Sequence, residues 1–147
     1  MPSPAAVLAA PQTSTLERML GRLWSIMRAR WRARVEAVQF ERKVIISTDD
    51  SRISVVYPDG RIESIAWAEV NCVAIETNDS GPWGTDVWWL FEGPSGRCAY
   101  PQGATGDPET LQLLPTKFPG FKDEVVIEAM GSTSNHRFIC WEREHAL

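Results

Sequence analysis

Few residues in this chain are spaced for chemistry. His136 and Cys140 lie four apart, His145 stands near the C-terminus, and carboxylates pair at Asp49-Asp50 and Asp123-Glu124. A structural zinc site needs four ligands in tetrahedral geometry, but the His136–Cys140 step falls in an alternating apolar segment with strand register, and no Cys-x-x-Cys pair completes the set. No metal and no cofactor is therefore expected. Nucleophilic catalysis needs a neighbouring base and an orienting group, and histidines confined to the C-terminal end do not supply them, so the chain reads as non-enzymatic. The carboxylate pairs sit where a turn and a helix start favour acidic residues anyway. Gly103-Ala104-Thr105-Gly106 would offer backbone donors to a phosphate at a helix start. No lysine follows it, however, and Asp107 puts a negative charge where the anion would sit, so a tight strand-to-helix turn is the better account.

The surface with most recognition character is an acidic loop. Glu76, Asp79 and Asp86 surround Gly81-Pro82-Trp83-Gly84, which would present an indole on a glycine-flanked tip amid negative charge. Tryptophan is enriched at interface hot spots and acidic neighbours steer a basic partner, so Glu76, Asp79, Trp83 and Asp86 are the candidate partner-binding residues. The competing reading folds Trp83 back over the sheet edge beside Trp88 or Trp89.

Composition narrows the partner. The chain has 147 residues, 44% of them apolar, and a net charge of −4, enough for one core and one domain. Eight basic against three acidic residues stand up to Lys43, and seven against sixteen after it. An acidic main part repels phosphate backbones, so a basic protein is the expected partner and nucleic acid is not. The three cysteines, Cys72, Cys98 and Cys140, are odd in number, lie inside apolar strand patterns and suit a reducing cytoplasm. The short apolar run Ala5–Ala10 lacks the basic start of a secretory signal, and no run reaches the length of a membrane span.

The elements that must position these residues follow from periodicity. Residues 1–13, rich in Pro, Ala and Ser, are expected to be disordered. Ser14-Thr15-Leu16-Glu17 is a capping box that starts an amphipathic helical extension over 14–42. At 100° per residue, Leu16, Met19, Leu20, Leu23, Trp24, Met27, Trp31, Val35 and Val38 share one half of the cylinder, interrupted by Arg30 and Arg34, while Arg18, Arg22, Arg28 and Arg32 gather on the other. That helix is read chiefly as docking on the open sheet face. The alternatives are an anionic membrane surface or a partner bound through those arginines, or a true start downstream of it.

From residue 43 to 147 a single α+β domain is expected. Alternation marks strands at 44–48, 52–57, 61–67, 72–77, 86–92 and 97–101, with Asp59-Gly60 as a hairpin turn. Val87-Trp88-Trp89-Leu90-Phe91 is apolar on both faces and predicts a covered central strand. Asp107-Pro108 opens a helix expected to end at Leu114 before Pro115. Asp123–Met130 follows with Gly131 as a left-handed cap, and a final strand runs over 137–142. The architecture is thus an antiparallel sheet of five to seven strands with a C-terminal helix pair and final strand, plus the N-terminal helix. The early hairpin, Trp67 and the strand at Val73 also look like the start of a pleckstrin-homology-like barrel, which remains the alternative.

Residues from about Val44 to Trp141 resemble a largely uncharacterised group of small bacterial α+β proteins. The shared pieces are Asp59-Gly60-Arg61, Trp67, Ile75-Glu76-Thr77, Asp86-Val87-Trp88-Trp89, Gly103-Ala104-Thr105-Gly106, Gly120-Phe121, Ile127-Glu128-Ala129-Met130, and Ser132-Thr133-Ser134-Asn135 with Phe138 and Cys140-Trp141. Such small acidic proteins are similar in general type to immunity proteins, which neutralise secreted polymorphic toxins by plugging their active sites. The resemblance implies a non-enzymatic, immunity-like protein-binding domain facing a basic toxin. A membrane-associated pleckstrin-homology-like adaptor is the second reading, and an unrecognised small enzyme the third.

Overall fold

The computed structural model describes residues 14–79 and 85–144. It is an α+β protein with an N-terminal helix, two antiparallel sheets, two later helices and a final strand. Helix α1 spans Thr15–Lys43 and begins as its capping box requires: Ser14 Oγ accepts from Glu17 N at 3.2 Å while Glu17 Oε2 accepts from Ser14 N at 2.9 Å. Strands β1 (Ile45–Thr48), β2 (Arg52–Val56) and β3 (Ile62–Ala66) form the first sheet. Strands β4 (Cys72–Thr77), β5 (Val87–Gly93), β6 (Gly96–Pro101) and β7 (His136–Glu142) form the second, in the order β6-β5-β4-β7. Helices α2 (Asp107–Lys117) and α3 (Asp123–Met130) connect β6 to β7.

Local chemistry explains most boundaries. Asp49 Oδ1 accepts from the Ser51 and Arg52 backbone N–H groups, closing the β1–β2 turn. Gly60 turns the β2–β3 hairpin at φ +87°, with its N–H bonded to Tyr57 O; an L side chain would be strained there. Period-two alternation then sends Ile53 and Val55 inward, and in β5 it sends Trp89 and Phe91 into the core. Strand β5 lies between β4 and β6, interior to its sheet as its apolar sequence predicts.

The two sheets close on one aromatic core. Trp67 meets Phe91 and Phe118 edge-on at 6.2 and 5.8 Å, and Phe91 stacks on Tyr100 at 6.0 Å. Leu114 and Phe118 bring α2 onto this cluster, and Trp141 of β7 reaches Phe118 at 4.7 Å while its Nε1 donates to Pro119 O. Arg143 fastens the end of β7 by donating to the Ala68 and Val70 carbonyls, both at 2.9 Å.

Three of the four edge strands carry hydrogen bonds from outside their sheets. On β6, Ala99 N–H donates to Glu63 Oε1 at 2.9 Å and Ala99 O accepts from the Tyr57 hydroxyl. On β1, Ile46 N–H and Val44 O bond to Thr105 at 2.8 and 2.9 Å. On β7, Cys140 O accepts from Lys122 N–H at 2.9 Å.

Four expectations change. The seven strands divide into sheets of three and four rather than one sheet. Helix α2 passes through Pro115 to Lys117, because buried Leu114 and Phe118 lie one turn apart and the Phe118 N–H to Leu114 O bond holds the last turn against the core. Gly131 is right-handed at φ −88°, its N–H bonded to Glu128 O in a tight final turn that needs no left-handed residue. Helix α1 does not dock on the sheet: it has no buried residue, and among the described residues it packs on the domain near its C-terminal end, where Phe40 touches Trp88. The pleckstrin-homology-like alternative, in which a helix closes the chain, gives way to β7 paired along β4. The expected disorder of residues 1–13 lies outside the described residues.

Candidate functional site

The outer face of the four-stranded sheet carries the polar groups that the core face does not. Register places Glu76 of β4 opposite both Trp88 of β5 and Arg137 of β7, and Cys72 opposite Glu92. Arg137 forks onto Glu92, with Nη2–Oε2 at 2.6 Å and Nη1–Oε1 at 3.0 Å, and reaches Glu76 Oε1 at 3.2 Å. The bidentate geometry fixes the guanidinium plane. Its hydrogen bonds hold the Glu92 carboxyl below the usual carboxylate range, against the opposing effect of partial burial. The pair is partly exposed, so its net contribution to stability is on the order of 1 kcal/mol.

Trp88 is half-buried on this face, near the loop end of interior strand β5. One shallow recess runs from it past Glu76 to Asn78, Asn135 and His136, and another runs past Leu90 to Tyr57, Arg61 and Arg97. The loop ends are anchored at the first recess: Asn78 N donates to Asp86 O at 3.0 Å, and Asp79 N to Asn135 Oδ1 at 3.2 Å. Glu41, from the last turn of α1, joins them. Burial pushes its carboxyl up, Arg34 and a Thr85 hydrogen bond pull it down, and the Asp86 charge raises it again. Glu41 and Asp86 are thus electrostatic neighbours across 45 residues of sequence.

The predicted loop residues fare differently. Asp79 and Asp86 stand at the two ends of the loop, on the same end of the sheet. Glu76 is there too, half exposed and 3.2 Å from Arg137, which it shares with Glu92, so the three side chains together carry one net negative charge. Trp83 lies outside the described residues. The arginines Arg18, Arg22, Arg28 and Arg32 are exposed on α1, away from this face. Sequence reasoning missed Glu41, Trp88 and Arg137 as site residues. Alternation alone puts Glu76 and Trp88 on outward positions of their strands, but only the pairing register brings Arg137 between Glu76 and Glu92.

The thiols are poorly disposed to act as nucleophiles. Burial raises Cys72 despite Arg137 nearby, pushes Cys98 up to about 12 and pushes Cys140 up to about 11. His136 packs its ring on Phe138 at 4.5 Å, while Cys140 is buried, so these two do not form a ligand pair. Among the described residues no group of three or more His, Cys, Asp or Glu side chains is placed to hold a metal.

One buried carboxyl lies under the Gly103–Gly106 turn. Asp107 Oδ2 accepts from Gly103 N–H at 3.0 Å, which closes the turn into α2. Its Oδ1 and the nearby Tyr100 hydroxyl are buried without a conventional hydrogen-bond partner, although each biases the other's ionisation. Burial raises Asp107, and the Gly103 bond only partly offsets this. A carboxyl raised in the folded state stabilises the fold most below its unfolded value of about 3.9, and that contribution is lost as pH rises through the folded value. Asp107→Asn is therefore expected to be more stable than the parent at pH 7, by about 1 kcal/mol, with the gap closing toward pH 3. Urea midpoints of both chains across that range check the sign; a parent more stable than the variant at neutral pH would reverse it.

Comparison with known proteins found no matching family model, no matching curated protein and no matching solved structure.

Proposed function

We propose that this chain is a non-enzymatic protein-binding domain that takes a basic segment of its partner against the loop end of the outer sheet face. The observation that carries the reading is that Glu41 of α1 is an electrostatic neighbour of Asp86, with Asp79 at the other end of the same loop, on the end of the sheet where half-buried Trp88 supplies an apolar platform. An aromatic platform rimmed by like charge suits a partner that brings the opposite charge and buries its own apolar stem. Arg137 adds rigidity rather than net charge, since two carboxylates already hold it. Occlusion of a basic site on a toxin, as immunity proteins perform it, is the form of binding this rim fits.

The test is capture from the source cell followed by kinetics on the captured protein. Asp79→Asn with Asp86→Asn is expected to slow association by about tenfold at low salt and to flatten its salt dependence. Trp88→Ala should instead speed dissociation, since truncating a packed anchor acts mainly on the off-rate. A basic partner bound equally well by a chain carrying all three substitutions would place the contact surface elsewhere.

A further inference from the structure

Helix α1 leaves an apolar face uncovered. Leu23, Trp24, Met27 and Trp31 are 55%, 60%, 62% and 67% exposed, and no residue of the helix is buried. From Leu16 to Trp31 this face runs about 22 Å along the axis. Arg28 borders this face, its guanidinium 5.8 Å over the Trp24 ring, and Arg22 and Arg32 stand on the polar side of the helix. The helix joins the domain without a loose linker: Val44 directly after it is fully buried, and Arg42 O accepts from Thr105 Oγ1 at 2.7 Å.

Two occupants compete for such a face, a second copy of the helix and a lipid surface. In a helix pair the seam would run through Arg30 and Arg34, which lie within the apolar half, and would desolvate two cations on each copy. On a bilayer surface those long side chains snorkel to the phosphates while their stems extend the apolar contact. The two tryptophans of the stripe suit the headgroup level, and Arg28 at its border with Arg22 and Arg32 beyond it suits anionic lipid. Among the described residues no helix is long and apolar enough to cross a membrane, so this one would lie in the interface plane.

We propose that α1 is an interfacial helix that holds the domain on an anionic lipid surface. The inference is independent of the partner proposed for the sheet face. Its test is sedimentation of the full chain with phosphatidylcholine vesicles, with and without one third phosphatidylserine, at low salt. The chain is expected to sediment with the anionic vesicles and far less with the neutral ones. Arg22→Gln, Arg28→Gln and Arg32→Gln should each weaken binding by about fivefold, the factor for one surface cation. Leu23→Glu with Met27→Glu should abolish binding, while leaving the domain's unfolding midpoint unchanged because both side chains are exposed and only the last turn of α1, at Phe40, packs toward the core. Absence of binding to anionic vesicles, or equal binding to both kinds, overturns the proposal. So does self-association in solution that the Leu23→Glu, Met27→Glu chain loses, which would assign the face to a second copy.

Discussion

Replacing Phe91 with alanine is expected to lower the unfolding free energy by about 3–5 kcal/mol. The ring is fully buried and touches Trp67, Tyr100 and Phe118, which come from a short helical turn, β6 and α2. Its loss removes transfer energy and leaves a cavity whose walls are large, flat rings on separate elements, so little collapse can refill it. For a domain whose whole stability is on the order of 5–15 kcal/mol, that is about a fifth or more. Urea unfolding followed by tryptophan fluorescence measures it, and a loss under about 1 kcal/mol would mean that the cluster repacks.

Gly93→Ala is the second large effect. A Cβ at this position would lie 2.2 Å from the Glu69 carbonyl oxygen and 3.1 Å from Ile65 Cδ1. The nearer atom is backbone, in the turn after Trp67, and it cannot rotate aside. Either the β5–β6 hairpin or that turn must move, at a cost of about 2–4 kcal/mol. The displacement should reach Asn71, whose N–H bonds to Glu92 O at 2.7 Å beside the clash. Amide hydrogen exchange should therefore quicken at Asn71 and along the end of β5 while β2 and β3 stay protected. An unchanged midpoint and exchange pattern would show that the turn yields freely.

Local sequence carried much of the fold. The Ser14–Glu17 capping box, the Asp59-Gly60 turn, the limits of β4 and α3, and the interior place of β5 all depend on neighbours in the chain, and all are present as read. What was not legible depends on pairing between distant segments. Nothing near Ala66 states that β3 and β4 belong to different sheets, because the short turn at Trp67–Glu69 looks like any brief connection. Amphipathicity revealed the apolar face of α1 but not whether the domain covers it. Pro115 reads as a stop until Leu114 and Phe118 are known to share a buried side. At the candidate site, Asp79 and Asp86 were visible as a loop pair. Glu41 and Trp88 joined them only in three dimensions, and the ion pair that engages Glu76 required the β4–β7 register.

The tied rims of the sheets bear on how this protein coexists with other chains at high concentration. Exposed strand edges invite strand addition, which drives both peptide capture by β-augmentation and runaway edge-to-edge aggregation. Here Ala99 on β6 is occupied on its outer side by Glu63 and Tyr57, Thr105 occupies Val44 and Ile46 beside β1, and Lys122 holds a carbonyl of β7. A visiting strand would have to displace hydrogen bonds already made before it gained any. Strand addition at these three rims is thereby disfavoured, because the backbone groups that would accept an extended peptide there are already engaged.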